Sequence, residues 1–148
     1  MCVSSQPNKI WVLDNVSSSI VLLSLDGTQQ QQEVKNLRGI LDVEQVDQII
    51  ERSGRLFLLD KENGVYILDI YGSLLDVVQT KSIQQVDASE SALFTLKDDY
   101  LEINSLVDDY KGVLKLPLQG IFEFVYLNQT FFFRTAEGVH KFSFQISE

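Results

Sequence analysis

Short apolar runs bounded by turn residues recur along this chain, each too short to make a helix. The clearest copy is Arg55-Leu-Phe-Leu-Leu-Asp60, then the turn Glu62-Asn63-Gly64, a second run through 65–69, and Tyr71-Gly72. An earlier copy reads Lys9-Ile-Trp-Val-Leu-Asp14, then 19–25 and Asp26-Gly27, where glycine supplies the positive φ of a tight turn. The polar stretch 29–32 leads into 33–36, which fits a strand with one wet face at the outside of a sheet. Weaker copies predict strands at 83–88, 92–97, 100–104 and 111–116, and again at 121–127, 130–135 and 139–144. The segment 41–50 is ambiguous, because its apolar positions 43, 46 and 50 suit a helix face as well as a strand. The repeat requires a strand before Arg55 and Ser53-Gly54 reads as a hairpin turn, so the segment is expected to be mainly strand. A fourth strand over 74–80 completes that unit.

Asp14 to Asp60 spans 46 residues and Gly27 to Gly72 spans 45, while Leu59 to Leu96 and Leu96 to Phe133 span 37 each. Units of about 40 residues with about four strands belong to β-propeller blades; leucine-rich, ankyrin and TPR repeats are shorter or helical. The runs 10–13, 56–59 and 131–133 are apolar without alternation, as middle strands buried on both faces would be. The expected fold is therefore all-β, with about three and three-quarter four-stranded propeller blades near 1–37, 43–80, 82–116 and 121–145. Together these form a single segment over 1–148, as part of a ring of about six to eight blades.

The phrases Asn8-Lys-Ile-Trp-Val-Leu-Asp14 and Gly54-Arg-Leu-Phe-Leu-Leu-Asp60, each followed by a strand and Asp26-Gly27 or Tyr71-Gly72, resemble NHL/YVTN-type propeller repeats. The stretch from Glu62 to Gly72 is similar to a propeller family of Bacteroidota envelope proteins. The resemblance covers nearly the whole chain and implies a complete ring and a place in the periplasm or at the outer membrane. Its motifs are structural, so they imply fold and little about function. The departure is length: the last unit has only three expected strands, and the N-terminal strand is already used as the inner strand of the first blade. An open set of blades exposes two blade faces and an edge, which invites association. Two readings follow. The chain is a C-terminal portion of a longer protein with a secretion signal upstream, or it closes a ring as a homodimer.

Charge narrows the partners. Twelve Lys and Arg against 21 Asp and Glu give a formal net charge of −9 and a pI near 4.5. Nucleic acid is not expected, because such affinity rests on basic residues displacing counterions and no Lys/Arg cluster exists. Anionic membrane surfaces are disfavoured for the same reason. No apolar run reaches the length of about 18 residues that a transmembrane segment needs. Met1-Cys2 lacks the charged and apolar regions of a signal peptide and any preceding lipobox. Cys2 is the single cysteine, so no intramolecular disulfide can form, and a buried strand position is its expected place.

No chemical constellation stands out. His140, the only histidine, falls in an expected strand, and a Cys2–His140 pair would need the two chain ends to meet. Neither a Gly-X-Ser-X-Gly elbow nor a glycine-rich phosphate cradle occurs. Asp14 and Asp60 hold equivalent repeat positions, where a ring of acids could bind a cation, but capping of turn N–H groups is the expected role. Asp98-Asp99 and Asp108-Asp109 are expected to be turn acids as well. Asp60-Lys-Glu-Asn-Gly64 starts like a calcium loop, yet Tyr71 stands where that loop needs a bidentate glutamate. Trp11, Phe57, Phe94 and Phe132 are expected to pack between blades. Tyr71, Tyr100, Tyr110 and Tyr126 lie nearer turns and are the candidate exposed contacts. No catalytic, cofactor-binding or metal residue is assigned, and no cofactor is expected. The expected function is a non-catalytic binding or scaffold module for a protein or other macromolecular partner, acting through blade-end loops. The alternatives are a fragment of a propeller hydrolase or lyase, possibly metal-dependent, with ligands in absent blades, and a purely structural module.

Overall fold

A computed structural model describes residues 1–43 and 45–143. They form four antiparallel sheets, each an up-and-down meander in chain order. The first sheet is β1 (Cys2–Val3), β2 (Lys9–Asp14), β3 (Ser19–Ser24) and β4 (Gln30–Val34). A short helix, α1 (Leu37–Leu41), leads to the second sheet of β5 (Gln48–Arg52), β6 (Arg55–Asp60), β7 (Gly64–Asp69) and β8 (Leu74–Gln79). The third sheet is β9 (Gln85–Ala88), β10 (Ala92–Lys97), β11 (Tyr100–Ser105) and β12 (Lys111–Lys115). The fourth has β13 (Glu123–Leu127), β14 (Thr130–Thr135) and β15 (Gly138–Phe142). The expected end of that last strand, Phe144, lies outside the described residues. The chain divides into two compact units, Met1–Ser82 with the first two sheets and a second from Ile83 onward with the other two.

Turn chemistry sets the registers. Ser53 and Gly54 both have positive φ (49° and 73°), as do Asn128 and Gln129 (50° and 60°). Two consecutive positive φ values match the twist of two-residue hairpins. They pair Arg52 with Arg55 and Leu127 with Thr130. Gly64 has φ of 139°, and a Cβ there would lie 2.3 Å from the Val78 carbonyl oxygen. Only glycine lets β7 and β8 approach so closely.

Within the first unit, Trp11, Ile20, Leu22 and Val34 on one face of the first sheet, its front, share a core with the back of the second sheet. That back face carries Ile49, Leu56, Leu58, Tyr66 and Leu68. Within the second unit, Ala92, Phe94, Leu96 and Leu101 on the front of the third sheet share a core with Phe124, Phe131 and Phe133 on the back of the fourth. Phe94 meets Phe131 edge-on at 4.8 Å between ring centroids and Tyr126 at 4.6 Å. Trp11, Phe57, Phe94 and Phe132 all hold the third position of a middle strand, 46, 37 and 38 residues apart. The last spacing differs from the 37 that Leu96 and Phe133 suggest. Those two side chains point to opposite faces of their sheets, because a one-residue slip flips a strand residue.

Polar side chains stitch neighbouring sheets together. Glu51 on β5 is buried and reaches back to the first sheet, where its carboxylate accepts from Trp11 Nε1 at 2.5 Å, the Ser5 amide at 3.1 Å and the Ser5 hydroxyl. Burial pushes this carboxyl up, but hydrogen bonds from Ser5, Trp11 and Ser4 outweigh it and hold it below the usual glutamate range. The nearby Cys2 thiol is pushed up to about 11, first by burial and then by the Glu51 charge. In the second unit the Gln85 amide pairs with the backbone of Phe124 in both directions, at 3.1 and 2.7 Å. Asp87 accepts from the Tyr126 amide at 2.8 Å.

The segment 41–50 departs from its expected strand. Among its described residues only 48–50 join a strand, β5, and Leu41 closes α1, which has left-handed residues Asn36 and Asp42 at its two ends. The Asn15 side chain explains this, donating to the Val46 carbonyl at 2.9 Å and accepting from its amide at 3.2 Å. Val46 thus satisfies its backbone without a strand partner, while Val43 and Val46 still bury their side chains. Glu44, in the same segment, lies outside the described residues.

Two outcomes follow for stability. Gly64→Ala should lower the urea unfolding midpoint at unchanged slope, with a loss above about 1 kcal/mol, from the positive φ and the Val78 contact. Because the Glu51 carboxyl titrates lower folded than unfolded, its stabilisation is present above the ordinary glutamate pKa and lost as pH falls through the folded value. Glu51→Gln should flatten that part of the profile when unfolding is measured between about pH 3 and pH 7.

Candidate interaction surface

The turns joining the third and fourth strands of the second and third sheets share one local feature, an aspartate two residues before a tyrosine. Asp69-Ile70-Tyr71 and Asp108-Asp109-Tyr110 each fold so that the aspartate accepts a hydrogen bond from the tyrosine amide, at 2.8 and 2.9 Å. Such a closed ring mimics a backbone turn and fixes the tyrosine's position. Asp69 also accepts from the Ser73 amide at 2.9 Å, and the Ser105 hydroxyl accepts from the Asp108 amide at 3.2 Å. Hydrogen bonds from Ser73 and Tyr71 hold the Asp69 carboxyl below its usual range, and the Ser105 hydroxyl with the Tyr110 amide does the same for Asp108. Both acids are therefore charged at neutral pH. In the first sheet the turn is Asp26-Gly27-Thr28, where Ser24 and Thr28 draw the Asp26 carboxyl down to about 2.

Each tyrosine stands out from its sheet, Tyr71 being 76% and Tyr110 56% exposed. The Tyr110 ring lies against Gly112, where a Cβ would sit 2.7 Å from the hydroxyl oxygen. Val107 and Val113, close to Tyr110 in the chain, are exposed as well. The Asp-x-Tyr spelling was the available signal, and Asp98-Asp99-Tyr100 carries it too, in the turn between β10 and β11.

The remaining sequence candidates are placed elsewhere. Tyr100 opens β11 at the far end of its strand from the Tyr110 turn, with the Lys115 ammonium 5.7 Å from its ring. Tyr126 is half-buried, its ring 4.6 Å from that of Phe94 and 4.7 Å from that of Phe131. Asp14 caps its turn through the amides of Val16 and Ser17, and Asp60 through those of Glu62 and Asn63. His140 Nε2 lies 3.0 Å from Thr135 Oγ1 beside an open cleft of about 270 Å³ that also meets Leu118, Phe122 and Glu137. Among the described residues no three His, Cys, Asp or Glu side chains are grouped to hold a metal ion. No helix among them is long and apolar enough to cross a membrane.

No protein-family model and no curated protein matches the chain. Solved structures match it in fold. The N-terminal domain of Nup159 is 15% identical with a TM-score of 0.62, over 99% of this chain and 41% of that one. Hsv2 from Kluyveromyces lactis is 10% identical with a TM-score of 0.68, over 95% and 43%. The computationally designed Ika4 protein is 11% identical with a TM-score of 0.61, over 96% and 88%. The four meanders are blades of a β-propeller, and the chain spans less than half the length of the first two matching structures.

If the aspartates hold these tips, Asp69→Ala and Asp108→Ala should speed amide exchange at Tyr71, Ser73 and Tyr110 by about tenfold, with little change in Tm. Hydrogen exchange read by NMR checks this, and unchanged rates would mean the strands alone fix the turns.

Proposed function

We propose that this chain is a non-catalytic propeller module that binds a protein partner through the turns between third and fourth strands. The observation that carries the reading is the pair of Asp-x-Tyr turns, each presenting an exposed ring beside ionised carboxylates. Tyrosine offers a large amphipathic contact at low entropic cost, and a turn already closed by hydrogen bonds loses little freedom on binding. Asp108 and Asp109 beside Tyr110, on a chain of net charge −9, favour a partner segment that carries Lys or Arg near an apolar side chain. The resemblance of residues 62–72 to a propeller family of Bacteroidota envelope proteins supports a role within a bacterial envelope assembly.

The immobilised chain should capture a defined partner from extracts of its source. Tyr71→Ala or Tyr110→Ala should weaken binding of that purified partner by about 2 kcal/mol, or about thirtyfold, without a shift in Tm. Added salt should weaken it further. A partner bound equally well by both variants, at low and high salt, would remove the basis for this reading.

A further inference from the structure

The front of the fourth sheet repeats a pattern that is buried in the other sheets. Phe132 holds the strand position of Trp11, Phe57 and Phe94, which are all fully buried, yet Phe132 is only half-buried. Register places Val125 and Lys141 on either side of it, and Arg134 and Val139 further along the same face. Val125 is 39%, Leu127 56% and Val139 69% exposed. This is an apolar sheet face with no described neighbour on it.

The back of the first sheet is open in the complementary way. Val3 is exposed, and Ile10, Val12, Val21 and Leu23 are half-buried. Their equivalents on the back of the second sheet are Leu56, Leu58, Tyr66 and Leu68, which are buried in the first unit's core. The chain thus carries one front face and one back face of the kinds that pack together inside both units.

Charge points to how they meet. Lys141 occupies the position of Leu22 in the first sheet, paired with the recurring middle-strand aromatic position, and Glu33 occupies that of Val77 in the second. Leu22 and Val77 belong to one core within the first unit. In a front-on-back contact Lys141 and Glu33 would stand in those two places, with opposite charges.

We infer that a second copy of this chain docks here, the front of the fourth sheet of one copy packing on the back of the first sheet of the other. Each copy offers one face of each kind, so a dimer that makes the contact reciprocally leaves no such face open. An opposite-charge pair enclosed in such a contact sets register more than affinity, and the apolar side chains supply the binding.

Light scattering on a sizing column tests the inference, with circular dichroism confirming a native β spectrum for each variant. The wild-type chain at micromolar concentration should run at twice its mass of 16.8 kDa. Phe132→Glu and Val12→Glu should each give a folded monomer. Lys141→Glu and Glu33→Lys should each weaken dimerisation about tenfold, and the double variant should restore it. A folded wild-type monomer overturns the inference and leaves these faces to further blades of a longer chain. A dimer that survives both Phe132→Glu and Val12→Glu overturns it as well.

Discussion

A four-stranded meander with apolar residues on both faces cannot bury them by itself; each face needs another sheet. The middle strands of this chain make that demand plain, since Leu56, Phe57, Leu58 and Leu59 are consecutive and all fully buried. Side chains alternate across a strand, so a run like this commits two opposite faces to contact. At about 25 cal/mol per Å² of apolar surface removed from water, stacking is what stabilises each sheet. The Trp11 core in the first unit and the Phe94–Phe131–Phe133 cluster in the second are two solutions to that one requirement.

Polar groups then fix how the sheets stack. Apolar faces alone would tolerate sliding, but Glu51 beneath Trp11 and Gln85 against the backbone of Phe124 allow one position. Both use side chains on an inner strand to bind the neighbouring sheet, a contact that strand ladders cannot make. Buried and satisfied, such groups cost little when formed and much when slipped, because a charge or amide would lose its partner away from water.

The blade ends carry the variable chemistry. Apart from the two open faces on the first and fourth sheets, the strands are engaged in ladders and packing, so the turns are where a side chain is free to meet something else. Asp-x-Tyr uses an acid already needed for the turn to hold an aromatic in place. Tyr126 shows the contrast, since the same residue type on an inner strand is drawn into the aromatic core.

The sequence by itself determined the fold class, the strand count and most turns, because two-residue hairpins and doubly buried strands have local signatures. Ser53-Gly54, the run from Leu56 to Leu59 and the turn acids Asp14 and Asp60 were all legible there. What only the tertiary structure decided was which way residues face and which neighbours they meet. The one-residue offset that puts Phe132 with Trp11 and sets Phe133 on the other face is the net result of several turn, linker and strand lengths, which repeat spacing alone does not resolve. The irregular path through Val46 depends on Asn15, 31 residues earlier in the chain. Tyr71 and Tyr126 look alike in sequence, and burial alone separates them, because exposure is a property of the packed sheets and not of the residues.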